Sequence, residues 1–322
     1  MPTVLKTDPQ LLTFRDGERA LLADLDLDLI ERHCGTEEEL IEHGQGADAL
    51  MVIAEPVTAR VIDALGDCRV IARFGAGLDN VDLEAATRRG VQVTFVPGAS
   101  VEEVSDHTIA MLFALARHLP ELDAAVRRGD WAIPAELPPF RRLRDQALGI
   151  VGAGRIGQAV ARKARGLGLA VVAYDPHVDA AALRGLGVEA VELDELLTRS
   201  DHVSIHAPLT AETHHLIGAR ELGLMKPTAN LINVARGGLV DQAALVAALT
   251  DGQIAGAGID VQEVEPPAAD EPLLGLPNVI LSPHAAHCSQ ESLDDLCSAA
   301  IEDVAAVLGG RPPAHPANEV AR

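Results

Sequence analysis

The chain has 322 residues, 48% hydrophobic but only 2% aromatic, and a formal net charge of −22. That length admits two domains with cores of Ala, Leu, Val and Ile, and that charge repels nucleic acid and anionic membranes, so neither is expected as a partner. No apolar run approaches the roughly 20 residues of a membrane span, and the start, MPTVLKTDPQ, lacks a signal segment, so a cytoplasmic protein is expected.

From residue 3 to residue 96 short apolar runs alternate with helical patterns. Strands are predicted over 4–6, 49–54, 70–74 and 91–96, with helices over 37–43, 58–65 and 83–89 between them. This is the βαβ rhythm of a small open sheet. Its last crossover holds RFGAGLDNVD, with Gly75 and Gly77 directly after a strand. Ligands of open α/β sheets bind beyond the carboxyl ends of strands, so the N–H groups of Gly75, Ala76 and Gly77 are candidates to hold a carboxylate. The same turn also reads as a plain strand-to-helix connection.

A long helix is expected over 101–118, with Val101, Val104, Thr108, Ile109, Leu112, Leu115 and Ala116 on one stripe. Residues 130–146 carry Trp131, Pro134, Pro138, Pro139 and Phe140 and read as an irregular loop, with Trp131 as its anchor.

Residues 147–175, ALGIVGAGRIGQAVARKARGLGLAVVAYD, hold the strongest signal. An apolar strand runs into Gly152, Gly154 and Gly157, which fit G-x-G-x-x-G, and a helix follows. The first glycine permits the turn, the second lets backbone approach a diphosphate, and the third lets helix and strand sit close. Phosphates would meet free N–H groups and the positive end of the helix dipole. Asp175 closes the next strand, 18 residues past Gly157. A carboxylate there binds ribose hydroxyls and repels a 2′-phosphate, which favours NAD over NADP.

The rhythm continues with helices over 180–186, 193–200, 219–225 and 242–251 and strands over 188–191, 202–206, 229–234, 255–260 and 278–281, a second doubly wound sheet. A last helix is expected over 290–308, capped near Gly309, and the tail RPPAHPANEVAR is expected to be exposed.

Hydride transfer to a ketone needs a cation for the substrate carboxylate, a proton donor, and a group that keeps the donor protonated. Arg236, after the strand LINVA, presents a planar fork to a carboxylate. His284, in SPHAA, is the donor, and Glu265, beyond the strand ending at Asp260, would raise its pKa and orient its ring. Each residue alone also reads as an ordinary surface or core group. No metal is expected: His202, His206, His214 and His215 lack ligand spacing, and Cys34, Cys68, Cys288 and Cys297 form no C-x-x-C pair and read as free thiols. Ser204 and Ser282 lack a G-x-S-x-G elbow, which removes the hydrolase reading.

RFGAGLDNVD, GIVGAGRIGQAVA, LINVARGGLVDQAAL, GIDVQEVEPP and SPHAA together resemble the D-isomer-specific 2-hydroxyacid dehydrogenase family across nearly the whole chain. The resemblance implies an α/β fold with two doubly wound parallel-sheet domains, a flavodoxin-like substrate domain of residues 1–99 and 290–322 and a Rossmann NAD-binding domain of residues 100–289, and an active site in the cleft between them. It implies Arg236, Glu265 and His284 as the catalytic set. It also implies that Arg155, Ile156, Asp175, Pro176, His206, Pro208, Thr213, Val234, Ala235, Asp260 and His284 lie along the NAD, and that the segment from Val101 to His118 contributes to a homodimer interface.

Within the family, SVEEVSDHT, INVARGGLVD and SPHAA are most similar to the C-terminal-binding-protein branch and to phosphoglycerate dehydrogenases. Where the co-repressors carry Trp after His-Ala-Ala, this chain has His287, which implies a more polar pocket wall. RLRDQALG also lacks the family's usual Gly-Lys-Thr. The expected activity is NAD-dependent interconversion of a small 2-oxo acid and its D-2-hydroxy acid, the alternative being an NAD-sensing binding protein. Oxidation of formate or phosphite is the weaker possibility, since Glu265 stands where formate enzymes carry Gln.

Overall fold

The structure, a computed structural model, describes residues 1–135 and 137–320. Glu136, inside the expected loop, and Ala321 and Arg322, at the end of the tail, lie outside the described residues. In chain order the elements are β1 (Thr3–Thr7), α1 (Asp16–Asp24), β2 (Asp28–Arg32), α2 (Glu37–Gly44), β3 (Ala49–Val52), α3 (Ala59–Ala64), β4 (Val70–Arg73), α4 (Leu83–Arg89), β5 (Gln92–Thr94), α5 (Val101–Ala116), α6 (Leu119–Arg127), β6 (Ala147–Val151), α7 (Arg155–Gly166), β7 (Ala170–Tyr174), α8 (Ala180–Gly185), β8 (Glu189–Ala190), α9 (Leu193–Arg199), β9 (His202–Ile205), α10 (Ala219–Leu224), β10 (Asn230–Asn233), α11 (Gln242–Thr250), β11 (Gly256–Ile259), β12 (Val279–Leu281) and α12 (Gln290–Leu308).

Two compact units emerge, Met1–Ser100 with Ser289–Arg322, and Val101–Cys288. The first holds a five-stranded parallel sheet in the order β2-β1-β3-β4-β5. Its central strands are apolar on both faces, as strands covered by helices on two sides must be. Phe14, Leu22, Leu296, Ala300, Ile301 and Val304 cover one face, and Leu40, Val61, Ile62, Ala85 and Ala86 the other.

The second unit holds a seven-stranded parallel sheet in the order β12-β11-β10-β9-β6-β7-β8. Strand order reverses beside β6, so the carboxyl ends of β6 and β9 form the switch point where α/β sheets take ligands. Helix α5 packs into this unit through Val104, Met111, Leu112 and Leu115.

Several elements depart from expectation. Helix 101–118 is two helices: α5 stops at Ala116, His118 takes a left-handed backbone (φ 50°), and Pro120 starts α6 within its first turn, where a missing N–H does no harm. Helix α1 and strand β2 were not anticipated, because β2 is an edge strand rich in charge (Asp28, Glu31, Arg32). Among the described residues the loop over 130–146 contains one 3-10 turn, Leu143–Asp145, and Trp131 is 88% exposed rather than packed as an anchor.

Residues 315–318 of the tail are not loose. Ala317 N–H donates to Val93 O at 2.8 Å, Phe95 N–H donates to His315 O at 3.2 Å, and Asn318 Oδ1 accepts from Val93 N–H at 2.7 Å. Strand β5 is the sheet edge, and its unpaired backbone groups take the tail. Among the described residues no helix is long and apolar enough to cross a membrane.

Candidate active site

The glycine turn lies at the switch point of the seven-stranded sheet. Gly152 has φ +92°, and a Cβ on it would strike the backbone of His206 and Ala207 at the end of β9. Gly154 begins α7 without any side-chain cap, and a Cβ there would meet nothing within 4 Å. The approach to the helix N-terminus is therefore open, and the turn fits a dinucleotide diphosphate. Asp175 follows β7 beside it, its Oδ2 accepting from Ala153 N–H at 2.7 Å and its Oδ1 from His177 N–H at 2.8 Å.

Arg236, Glu265 and His284 all follow carboxyl ends of neighbouring strands, β10, β11 and β12. Asn233 fixes the turn around Arg236 by donating to its carbonyl at 2.8 Å while accepting from Ala235 N–H at 3.1 Å. Gly237 lets this turn press on the loop that carries Glu265, since a Cβ there would collide with the backbone of Gln262 and Glu263. Glu265 Oε1 accepts from Gln262 N–H at 2.9 Å, and Oε2 bonds His284 Nδ1 at 2.7 Å. Burial pushes the Glu265 carboxyl up, but the bond and charge of His284, the Gln262 N–H and the Arg236 charge outweigh it and hold it below the usual glutamate value.

His284 has φ +52°, left-handed backbone that costs a non-glycine residue about 1–2 kcal/mol. Asp260, only 2% exposed, holds the turn in that shape. Its carbonyl accepts from His284 N–H at 2.8 Å, and its carboxylate accepts from Ala285 N–H at 2.8 Å, Ala286 N–H at 2.9 Å and Ser282 Oγ at 2.5 Å.

A model of the D-isomer specific 2-hydroxyacid dehydrogenase NAD binding domain matches residues 109–286. The chain belongs to the D-isomer-specific 2-hydroxyacid dehydrogenase family. This 2-hydroxyacid dehydrogenase is 43% identical over 288 residues to a glyoxylate reductase of Korarchaeum cryptofilum, covering 88% of this chain and 86% of the relative. It is 40% identical over 279 residues to a D-3-phosphoglycerate dehydrogenase of Methanocaldococcus jannaschii, covering 85% of this chain but 52% of that one, so it spans about half the length of that relative. The crystal structure of the Aquifex aeolicus D-lactate dehydrogenase, complexed with NAD and lactic acid, superposes with a TM-score of 0.88 at 31% identity, covering 99% of this chain and 100% of the other. The fold and the NAD-linked oxidoreductase class are thereby settled.

Of the other residues expected to line the dinucleotide, Arg155 is exposed and Ile156 half-buried in the first turn of α7, and Pro176 is exposed just after Asp175. Pro208 and Thr213 share one loop, Thr213 Oγ1 donating to the Pro208 carbonyl at 2.7 Å. Val234 is buried at the end of β10, and Ala235 is half-buried. Burial pulls the His206 imidazole down to about 3, so it stays neutral, bonded through Nε2 to Ser204 Oγ at 2.8 Å. Asp260 faces inward, toward the His284 turn. Gly75, Ala76 and Gly77 form the turn after β4 in the other unit.

Two residues that support the His284 turn escaped sequence reasoning in this role. Ser282 donates to Asp260, and His107 on α5 bonds Ser282. The available signal was a lone histidine interrupting the apolar stripe of α5.

Proposed function

We propose that the chain reduces a small 2-oxo acid to its D-2-hydroxy acid and runs the reverse oxidation, with Arg236, Glu265 and His284 as the chemical set. The carrying observation is the 2.7 Å bond between His284 Nδ1 and Glu265 Oε2 on neighbouring strand ends, with Arg236 close enough to lower the Glu265 carboxyl. The family and NAD class of the chain give that pair its setting.

Bound NADH supplies the hydride. Arg236 binds the substrate carboxylate through its guanidinium and orients the carbonyl. His284, with Nδ1 committed to Glu265, gives a proton from Nε2 to the forming alkoxide, and in oxidation takes it back. Glu265 stays ionised, so it stabilises the imidazolium before the proton leaves. The Gly75–Gly77 N–H groups are a further carboxylate ligand in this proposal.

Glyoxylate is the first substrate to try, because glyoxylate reductases cover most of their own length in the match. His287, whose ring lies edge-on to His284 with centroids 6.0 Å apart, adds a polar wall that suits small polar acids. The Asp175 carboxylate supports NAD over NADP. We also propose a homodimer, supported by the exposed apolar side chains Leu119, Val126, Trp131 and Ile133, and a reducing, cytoplasmic setting, supported by four unpaired thiols.

The test follows NADH loss with a panel of 2-oxo acids for wild type and His284→Ala. A fall in kcat of ~10²-fold or more is expected, as for loss of a general acid. A fall of only a few-fold, or NADH-dependent partner capture without turnover of any acid, sinks the proposal.

A further inference from the structure

We propose that His107 is a positioning residue for the catalytic turn, acting on His284 through Ser282 and Asp260; the inference rests on the role proposed for His284. A serine hydroxyl has one proton, and Ser282 gives it to Asp260 Oδ1 at 2.5 Å. Ser282 Oγ is therefore the acceptor toward His107 Nε2, 3.0 Å away, and Nε2 carries the proton. The direction of the whole chain follows: His107 to Ser282 to Asp260.

At its far end the chain sets backbone. Asp260 receives Ala285 and Ala286 N–H on its two carboxylate oxygens and His284 N–H on its carbonyl. These bonds hold His284 in its left-handed conformation. Each extra donor polarises the next bond in a chain that ends on the buried Asp260. His107 stands on α5, whose Val104, Met111, Leu112 and Leu115 share one apolar cluster with Ala286. The helix thus grips the turn twice, by packing at Ala286 and by hydrogen bonding at Ser282.

Without the His107 donor Ser282 can rotate away from Asp260, and the turn loosens while Arg236, Glu265 and the glycine turn keep their own supports. Misplacement of a reacting group by about 1 Å costs up to ~10²-fold in rate. The expected signature is a fall in kcat with substrate and NADH binding nearly intact.

The experiment uses the full chain and whichever 2-oxo acid of the panel the wild type reduces fastest. His107→Ala, His107→Gln, Ser282→Ala, the His107→Ala/Ser282→Ala double variant and His284→Ala are compared for kcat, KM, NADH dissociation constant and Tm. His107→Ala is expected to lower kcat about 10-fold with KM and NADH affinity within about 3-fold, and His107→Gln, which keeps an N–H donor, to recover to within about 3-fold of wild type. The double variant should lose little more than His107→Ala, since both changes cut one chain.

Unchanged kcat in His107→Ala, equal losses in the Ala and Gln variants, or losses that multiply in the double variant overturn the proposal. If His107→Ala does not fold, Ser282→Ala decides: a comparable loss of kcat at unchanged NADH affinity supports it, and wild-type kcat overturns it. An inactive His284→Ala beside an unimpaired His107→Ala defeats only this inference. An active His284→Ala defeats the proposed function, and this with it.

Discussion

Asp260 and His284 are joined through the backbone, His284 N–H donating to the Asp260 carbonyl at 2.8 Å, while the Asp260 carboxylate receives the N–H groups of the next two residues. The His284 imidazole, on left-handed backbone, is thus held by a carboxylate that is almost wholly buried. Asp260→Asn puts an amide donor against one of those donors. The expected cost is about 1–3 kcal/mol from the unsatisfied buried group, read as a Tm lower by several degrees, with kcat down at least tenfold. Wild-type Tm and kcat would contradict this account of the turn.

Glu265→Gln removes the charge that faces His284 but keeps the shape. It should lower kcat by about 10–100-fold with little change in KM. The carboxyl lies below its ordinary value when folded, so its stabilisation is complete above the usual glutamate pKa and is lost only as pH falls through the depressed value. A Tm-against-pH series should show that acid-side loss in wild type and a smaller one in the variant.

Gly152 and Gly154 should separate stability from cofactor binding. Gly152→Ala forces a Cβ into the His206–Ala207 backbone and strains a positive φ, so the expected result is a marked fall in Tm. Gly154→Ala meets open space and should leave Tm within about 2 °C while weakening NADH binding roughly tenfold or more, because the new methyl would enter the open space proposed for the diphosphate. Titration of NADH fluorescence and a melting curve test both.

Glu55, 5% exposed, bonds Ile53 and Ala54 N–H through Oε2 and faces the Asp8 carboxylate. Burial, and then Asp8, push the Glu55 carboxyl up, and Asp8 is held low by its bonds to Glu55 and His33, which outweigh its own burial. The stability linked to protonated Glu55 is therefore full below the ordinary glutamate pKa and falls as pH rises through the raised folded value. Glu55→Gln supplies a permanent donor to Asp8, so above the raised Glu55 value it should equal or exceed wild type by about 1 kcal/mol. A variant that loses stability as pH rises, as wild type does, would show that Glu55 carries no shared proton.

Most helices and strands of both sheets were legible because their cues are local. The run ALGIV, the spaced glycines and the acid at Asp175 lie within one strand-turn-helix-strand unit, so the sequence alone marks this glycine turn between β6 and α7. The placement of Arg236, Glu265 and His284 after neighbouring strand ends was legible for a related reason: parallel strands deliver their carboxyl ends to one edge. Helix α6 was missed because the stripe of α5 runs to within four residues of Pro120, and β2 because an edge strand can be as charged as a loop.

By its own periodicity the chain determined two parallel sheets and the identity of the residues at their carboxyl ends. Only the tertiary structure decided which hydrogen bonds those residues make: the 22-residue reach from Ser282 to Asp260, the 175-residue reach from His107 to Ser282, and the 226-residue reach by which Asn318 brings the tail onto Gln92. Residue spacing reports backbone period and burial, whereas a buried donor takes whichever acceptor the order of the strands sets beside it.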